Sequence, residues 1–310
     1  VSSSRSEPRI TIKLKDDDMD SPKALGFIGL GVMGSGMCAN LAAKSGLPVI
    51  AYDAVDSNLE EAVRRGAQKA ISAAEVGQRA NIVFLSLPTI GEVESVAAEL
   101  VAGQRRPRVI VDMSTSDVGR TRALAQQLAK CGVQFVDAPV ARMRQAAQDG
   151  TLLITVGADG DLFEHLNPLL LCMGTDVVAA GGIGNGQVIK ILNNMVLFLT
   201  MNALAEAMTI GRRAGVDGEL LFQALALGSA DSVALRKTGT ATMVPDEFPE
   251  KAFPTKYAIK DLALALQLAE DLEVPAQAAR QTMHVLKRTS DAGLAEAYYP
   301  AMIKVVDGRV

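Results

Sequence analysis

Short apolar runs alternate with amphipathic stretches from Ala24 to about Ala180. The runs Leu25–Leu30, Pro48–Tyr52, Ile82–Leu87, Val109–Asp112, Gln134–Asp137, Leu152–Val156 and Val177–Ala179 read as strands. Between them, Met33–Ser45, Gly91–Val101, Asp117–Lys130 and Asp159–Cys172 space their apolar residues as helices do. Gly46, Gly66 and Gly132 stand where helix C-caps are expected. Strand and helix in alternation predict an α/β fold with a doubly wound, mainly parallel sheet.

The pattern changes after Gly181-Gly182-Ile183-Gly184. From Gln187 to Val310 the chain reads as helix, with breaks near Gly215, Gly228, Pro245–Pro254, Pro275 and Gly293. The first helix, about Gln187–Arg213, would run roughly 40 Å at about 1.5 Å per residue. It is apolar nearly all round, which predicts burial on every side. Residues 23–183 are thus expected to form one domain and 184–310 an all-helical second one. The second would serve substrate binding and oligomerisation and open on a long interdomain helix. Residues 1–22 are read as a leader outside the fold, with Met19 as the native start.

Composition narrows the function classes. The 310 residues are 49% apolar and 21% charged, the balance of a globular protein with a sizeable core. A net charge of -4 gives no basic face for nucleic acid. The most apolar stretch, Ile191–Ala205, is interrupted by Asn193, Asn194 and Asn202. It falls short of the ~20 residues a bilayer needs, so no membrane partner is expected. Cys38, Cys131 and Cys172 are odd in number and widely spaced, which suits a reduced, cytoplasmic setting. His165 and His284 are the only histidines, and no metal site is expected.

Phe27-Ile28-Gly29-Leu30-Gly31-Val32-Met33-Gly34 is a strand running into a Gly-x-Gly-x-x-Gly turn that opens a helix. Gly29 permits the turn, Gly31 lets a pyrophosphate approach the backbone, and Gly34 lets helix pack on strand. The helix N-terminus then offers N–H groups and positive dipole to phosphates. Asp53 ends the next strand, where an acid can hold the ribose hydroxyls of the adenosine half. Its charge would repel a 2′-phosphate, so NAD is expected over NADP. The sheet is therefore expected to be of Rossmann type.

Lys190 and Asn194 lie at i and i+4 on one helical face, with Asn193 beside them and Val188, Ile189, Ile191, Leu192 and Met195 around. A lysine in such apolar company is costly unless paired or used. Desolvation would lower its pKa towards a range suited to proton exchange. Hydride transfer to a carbonyl needs such a proton donor, and the reverse reaction needs a base. Lys190 is the candidate acid/base, with Asn194 orienting it or the substrate oxygen. A lysine snorkelling from a buried helix beside two structural amides is the other reading of the same residues.

With these motifs the sequence resembles the β-hydroxyacid dehydrogenase family, which includes 3-hydroxyisobutyrate dehydrogenase and tartronate semialdehyde reductase. The resemblance spans about residues 24–305. It rests on Gly26 to Gly34, Leu87-Pro88, Asp112-Met113-Ser114-Thr115, Asp137-Ala138-Pro139-Val140, Gly150-Thr151-Leu152, Gly184 to Asn194, and Lys260-Asp261-Leu262. It implies a catalytic lysine at Lys190 and an assisting amide at Asn194. It further implies cofactor contacts at Leu87, Pro88 and Thr115, and a place for Lys260 by nicotinamide and substrate. On the residues alone, Thr115 would serve equally as a helix N-cap.

One slot departs from the family. Where members follow Ala-Pro-Val with Ser-Gly-Gly, this chain has Ala141-Arg142-Met143. Arg142 could grip a carboxylate, sulfonate or phosphate bidentately, and a similar arginine occurs in the sulfolactaldehyde reductase branch; an exposed arginine on a loosened loop is the alternative. The expected activity is NAD-dependent interconversion of a small anionic 3-hydroxyacid with its semialdehyde or keto form. The substrate would lie between the domains, bound by Arg142, Ala141, Met143, Asn193 and Lys260. A sulfonated or C4 semialdehyde, or glyoxylate, is an alternative substrate. A non-catalytic NAD-binding scaffold is an alternative of another class. The apolar helical half, with Met195, Leu197, Phe198 and Leu199, predicts a homodimer or homotetramer.

Overall fold

The computed structural model describes residues 24–250 and 252–310, so the leader assigned to residues 1–22 lies outside the described residues. The chain divides into two compact units, one ending at Lys190 and the other running from Ile191 to Val310.

The described residues of the first unit hold one nine-stranded sheet: β1 (Leu25–Ile28), β2 (Val49–Tyr52), β3 (Gln68–Lys69), β4 (Ile82–Leu85), β5 (Val109–Asp112), β6 (Gln134–Asp137), β7 (Val140–Ala141), β8 (Leu152–Gly157) and β9 (Gly174–Gly181). Its order is β3-β2-β1-β4-β5-β6-β8-β7, with β9 paired to β8. The strands from β3 to β6 are parallel, and β8 runs antiparallel to β6 and β7. With the strands come the helices α1 (Gly34–Lys44), α2 (Asp56–Arg64), α3 (Ala73–Arg79), α4 (Ile90–Ala102), α5 (Val118–Lys130), α6 (Arg144–Asp149) and α7 (Gly160–Leu170).

Alternate strand residues feed two hydrophobic clusters. Phe27, Phe84, Val111 and Val136 enter one, with Met37 and Leu41 of α1. Val83, Ile110 and Phe135 enter the other, with Val93 of α4 and Leu128 of α5. Both faces are covered, which is why the strands read as unbroken apolar runs. The central strands also stop in step, with Ile28, Leu85, Asp112 and Asp137 in one register line. Every loop that follows them therefore opens on one edge of the sheet.

Helix α8 (Asn185–Arg213) begins in the first unit and continues into the second. There it is followed by α9 (Gly218–Leu227), α10 (Thr240–Met243), α11 (Thr255–Asp271), α12 (Gln277–Thr289) and α13 (Ile303–Val306). Phe198 stacks on Phe253 and meets Tyr299 edge-on. Ile191, Asn194, Phe198, Met201, Ala205 and Met208 form the buried face of α8. The expectation of burial on every side is corrected here. Ile189, Leu192, Val196 and Ile210 are 42%, 39%, 58% and 67% exposed and lie along the opposite face. Apolarity all round marks surfaces that avoid water, and does not say which of them this one chain covers. By length and composition alone α8 also meets the test for a membrane span, which the shorter Ile191–Ala205 stretch did not. The aromatic packing around Phe198 is that of a core helix.

Candidate active site

The glycine turn between β1 and α1 is built as its sequence demands. Gly29 has φ +91°, and a Cβ there would stand 2.2 Å from the Ser86 carbonyl. A Cβ on Gly34 would stand 1.9 Å from the Gly29 carbonyl, whereas one on Gly31 would meet nothing within 4 Å. The turn is thus closed on its protein side and open at Gly31. Helix α1 has no side-chain N-cap, and Val32 beside it is exposed. An open glycine before an uncapped helix N-terminus fits a pyrophosphate. The Leu30 side chain is buried in the core, so only its backbone can face a ligand.

Asp53 follows β2 and ties the turn to it. Its Oδ2 accepts from the Leu30 N–H at 2.5 Å, and its Oδ1 from the Val55 N–H at 2.8 Å and Asn58 Nδ2 at 3.3 Å. The carboxylate therefore reaches the glycine turn directly. Leu87, beyond β4, donates its N–H to Ser114 Oγ at 2.9 Å, and Pro88 beside it is exposed. Thr115 lies in the loop after β5. It is not the N-cap of α5, a place taken by Asp117, whose side chain accepts from the Arg120 N–H.

Buried polar groups gather where α8 begins. Asp137 Oδ1 accepts from the Gly184 N–H at 2.7 Å and Oδ2 from the Gln187 N–H at 2.9 Å. Gln187 Oε1 accepts from the Ser116 N–H at 3.0 Å, and its Nε2 donates to the Ser114 carbonyl at 2.8 Å. Asp112 in turn accepts from the Ser114 N–H and the Ser116 hydroxyl. Burial pushes the Asp137 carboxyl up to about 6, against the lowering pull of the two N–H donors. Neither Asp137 nor Gln187 stood among the candidate residues. Their signal was present: an acid at the last position of an apolar strand, and a glutamine opening an apolar helix.

Lys190 follows Gln187 by three residues on the same helix. In the second unit Asn194 is buried and donates Nδ2 to Asp261 Oδ2 at 2.7 Å, while its Oδ1 accepts from Asn193 Nδ2 at 3.2 Å. Lys260 Nζ lies 3.3 Å from Asp261 Oδ1. Asp261 thus joins Asn193, Asn194 and Lys260 into one network, and it too was missed by sequence reasoning. Both ends of the Asn194 amide are therefore engaged, Nδ2 with Asp261 and Oδ1 with Asn193.

The loop with Arg142 is placed differently from the simplest expectation. Ala141 ends β7, Met143 is exposed before α6, and Arg142 holds φ +80°, a conformation natural to the glycine it replaces. Its guanidinium donates to the Thr151 carbonyl, to Thr175 Oγ1 at 3.0 Å, and to Asp176 Oδ2 at 2.6 Å. Arg142 is therefore already engaged with a carboxylate of its own chain.

A glycine turn on a parallel sheet, an acid after β2 and a lysine-bearing helix at the same sheet edge define a nicotinamide-dependent oxidoreductase. Comparison with known proteins agrees. Residues 24–182 match the model for the NAD binding domain of 6-phosphogluconate dehydrogenase. Residues 184–306 match that for the NAD-binding region of NADP-dependent 3-hydroxyisobutyrate dehydrogenase. The 2-(hydroxymethyl)glutarate dehydrogenase of Eubacterium barkeri is 33% identical over 93% of this chain and 96% of its own. The mitochondrial 3-hydroxyisobutyrate dehydrogenase of Mus musculus is 36% identical over 83% and 79%. The solved structure of Mycobacterium tuberculosis 3-hydroxyisobutyrate dehydrogenase with L-serine superposes with a TM-score of 0.85 at 27% identity, covering 92% of this chain and 99% of that one. The chain belongs to the β-hydroxyacid dehydrogenase family. It is an NAD(P)-dependent dehydrogenase or reductase acting on CH–OH groups.

Proposed function

We propose that the protein prefers NAD and interconverts a small anionic 3-hydroxyacid with its semialdehyde or keto form, Lys190 exchanging the hydroxyl proton. The supporting observation is the shared sheet edge. The glycine turn follows β1, while the first turn of α8 is hydrogen-bonded to Ser114, Ser116 and Asp137 at the ends of β5 and β6. Two to three strand spacings separate them, roughly 10–15 Å at ~4.8 Å each. Nicotinamide, when bound, supplies hydride transfer at its C4. Lys190 gives or takes the proton at the substrate oxygen, with Asn194 in the assisting role that the family resemblance implies. The preference for NAD draws support from the Asp53 carboxylate, which a 2′-phosphate would meet as a like charge.

The roles of Leu87, Pro88, Thr115, Asn193 and Lys260 rest on the family resemblance. In this reading a substrate carboxylate or sulfonate competes with Asp176 for Arg142. That ion pair is solvent-exposed, and such pairs are held weakly. The exposed apolar face of α8 supports self-association as a dimer or tetramer. Three free cysteines, two of them buried, suit the reduced cytoplasm.

A panel of 3-hydroxyisobutyrate, 2-(hydroxymethyl)glutarate, succinic semialdehyde and glyoxylate, followed by NADH absorbance, tests the activity. Lys190→Ala should leave NADH binding intact and cut kcat by about 10²-fold or more. Turnover that survives this change removes Lys190 from the mechanism. Tight NADH binding without turnover of any panel member would favour a scaffold.

A further inference from the structure

We propose that Asp137 is a positioning residue for the reaction: its carboxylate fixes the first turn of α8 to the sheet and so sets where Lys190 stands. The inference rests on the reading of Lys190 as the acid/base.

The geometry is that of a clamp. Asp137 and Gln187 are both fully buried. Asp137 takes the N–H groups of Gly184 and Gln187, one on each oxygen. Gln187 closes a second pair of bonds onto the Ser114–Ser116 loop, which Asp112 braces from beneath. Thr155 of β8 adds a third tie by donating to the Gly186 carbonyl at 3.1 Å. The fit leaves no slack. A Cβ on Gly186 would stand 2.4 Å from the Thr155 carbonyl and 2.8 Å from Asp137 Oδ2, and one on Gly157 would stand 2.2 Å from Asp137 Oδ1.

A helix start needs no buried carboxylate to form. A surface serine or water satisfies the same N–H groups without taking a charge out of solvent. What this costly arrangement adds is a fixed direction for the helix, three residues before the lysine. Displacement of a reacting group by about 1 Å can cost on the order of 10²-fold in rate.

Protonation bears on the same contact. The charge that acts on Asp137 is that of Asp112 on the neighbouring strand, which raises its pKa further; Arg122 of α5 is bonded to the Ile183 carbonyl and Asn185, and Lys190 stands three residues beyond Gln187 on α8. Above about 6 the Asp137 carboxyl is ionised and accepts both N–H groups. Below that pH one oxygen carries a proton and accepts far more weakly, so one tie loosens.

Asp137→Asn tests this, because the amide keeps the shape but can accept only one of the two N–H groups. NADH affinity and KM should stay within twofold while kcat falls at least tenfold. The fall in wild-type kcat as pH drops through about 6 should vanish. Hydrogen exchange in residues 185–191 of the ligand-free protein should rise at least tenfold, with the β1–α1 region unchanged. In a Lys190→Ala background Asp137→Asn should cost nothing further. A kcat within twofold of wild type, unchanged exchange in 185–191, or an equal loss in the Lys190→Ala background would each overturn the proposal. Should Lys190→Ala itself retain turnover, the acid/base reading fails, and the exchange result still reports on the clamp. If Asp137→Asn does not fold, Gln187→Met, which leaves the carboxylate in place, carries the kcat, exchange and Lys190→Ala comparisons, while the fall in kcat as pH drops through about 6 should persist.

Discussion

Asp53 has one role in the fold and a second in the proposed function. It binds the Leu30 N–H inside the glycine turn, and it stands where the adenosine ribose is expected. Replacing it by alanine would remove both, and a weaker turn would obscure the cofactor choice. Asp53→Asn separates them, since the amide oxygen can still accept a backbone N–H while the charge is gone. The ratio of kcat/KM for NADH over NADPH should then fall by at least tenfold, about 1.4 kcal/mol in transition-state stabilisation. An unaltered ratio would show that another group makes the choice. Arg142 shows the limit of reading a single residue. Its charge and place suggested an anion clamp. Its partner Asp176 stands 34 residues further along the chain, in no pattern that sequence exposes, and only the folded structure reveals the pair.

Elements were legible to the degree that their packing leaves a periodic trace. Strands covered on both faces read as apolar runs, and β5 and β6 carry the bounds that their runs suggest. Strand β3 is two exposed residues, and β7 is two residues beside the family's departed slot; neither is long enough to show a period. Helix α2 buries only Leu59 and Ala62, too few to stand out. The start of α8 was legible as glycines and a lysine, whereas the clamp was not, because Asp137 and Gln187 are 50 residues apart. The glycines themselves make a testable statement at this scale. Gly186→Ala would drive a Cβ into a backbone carbonyl, that of Thr155, and into the Asp137 carboxylate, which is held at both oxygens. Overpacking of this kind costs about 1–3 kcal/mol, so the denaturation midpoint should fall and kcat with it. Gly182→Ala is the control, since its Cβ would meet nothing within 4 Å. Equal behaviour of the two variants would show that the helix start has room to move.

At the scale of the whole molecule, the exposed face of α8 is the feature that a single chain leaves unexplained. Ile189, Leu192, Val196 and Ile210 fall at intervals of three, four and fourteen residues, so they stack on one side of the helix. The residues that suggested self-association from sequence include Phe198, which is fully buried within its own chain and so offers nothing to a second copy. Burying a valine or isoleucine side chain contributes about 1.5–3 kcal/mol. A stripe of four, repeated on both copies of a symmetric pair, favours a dimer to the extent that this burial exceeds the association cost of about 4–15 kcal/mol. Light scattering across a hundredfold range of concentration should give at least twice the mass of one chain. Val196→Glu with Ile210→Glu would place four charges in a twofold interface, and the variant should run as a monomer with an unchanged circular-dichroism spectrum. A wild-type mass equal to one chain throughout that range would mean the stripe faces water, and the self-association reading would fall.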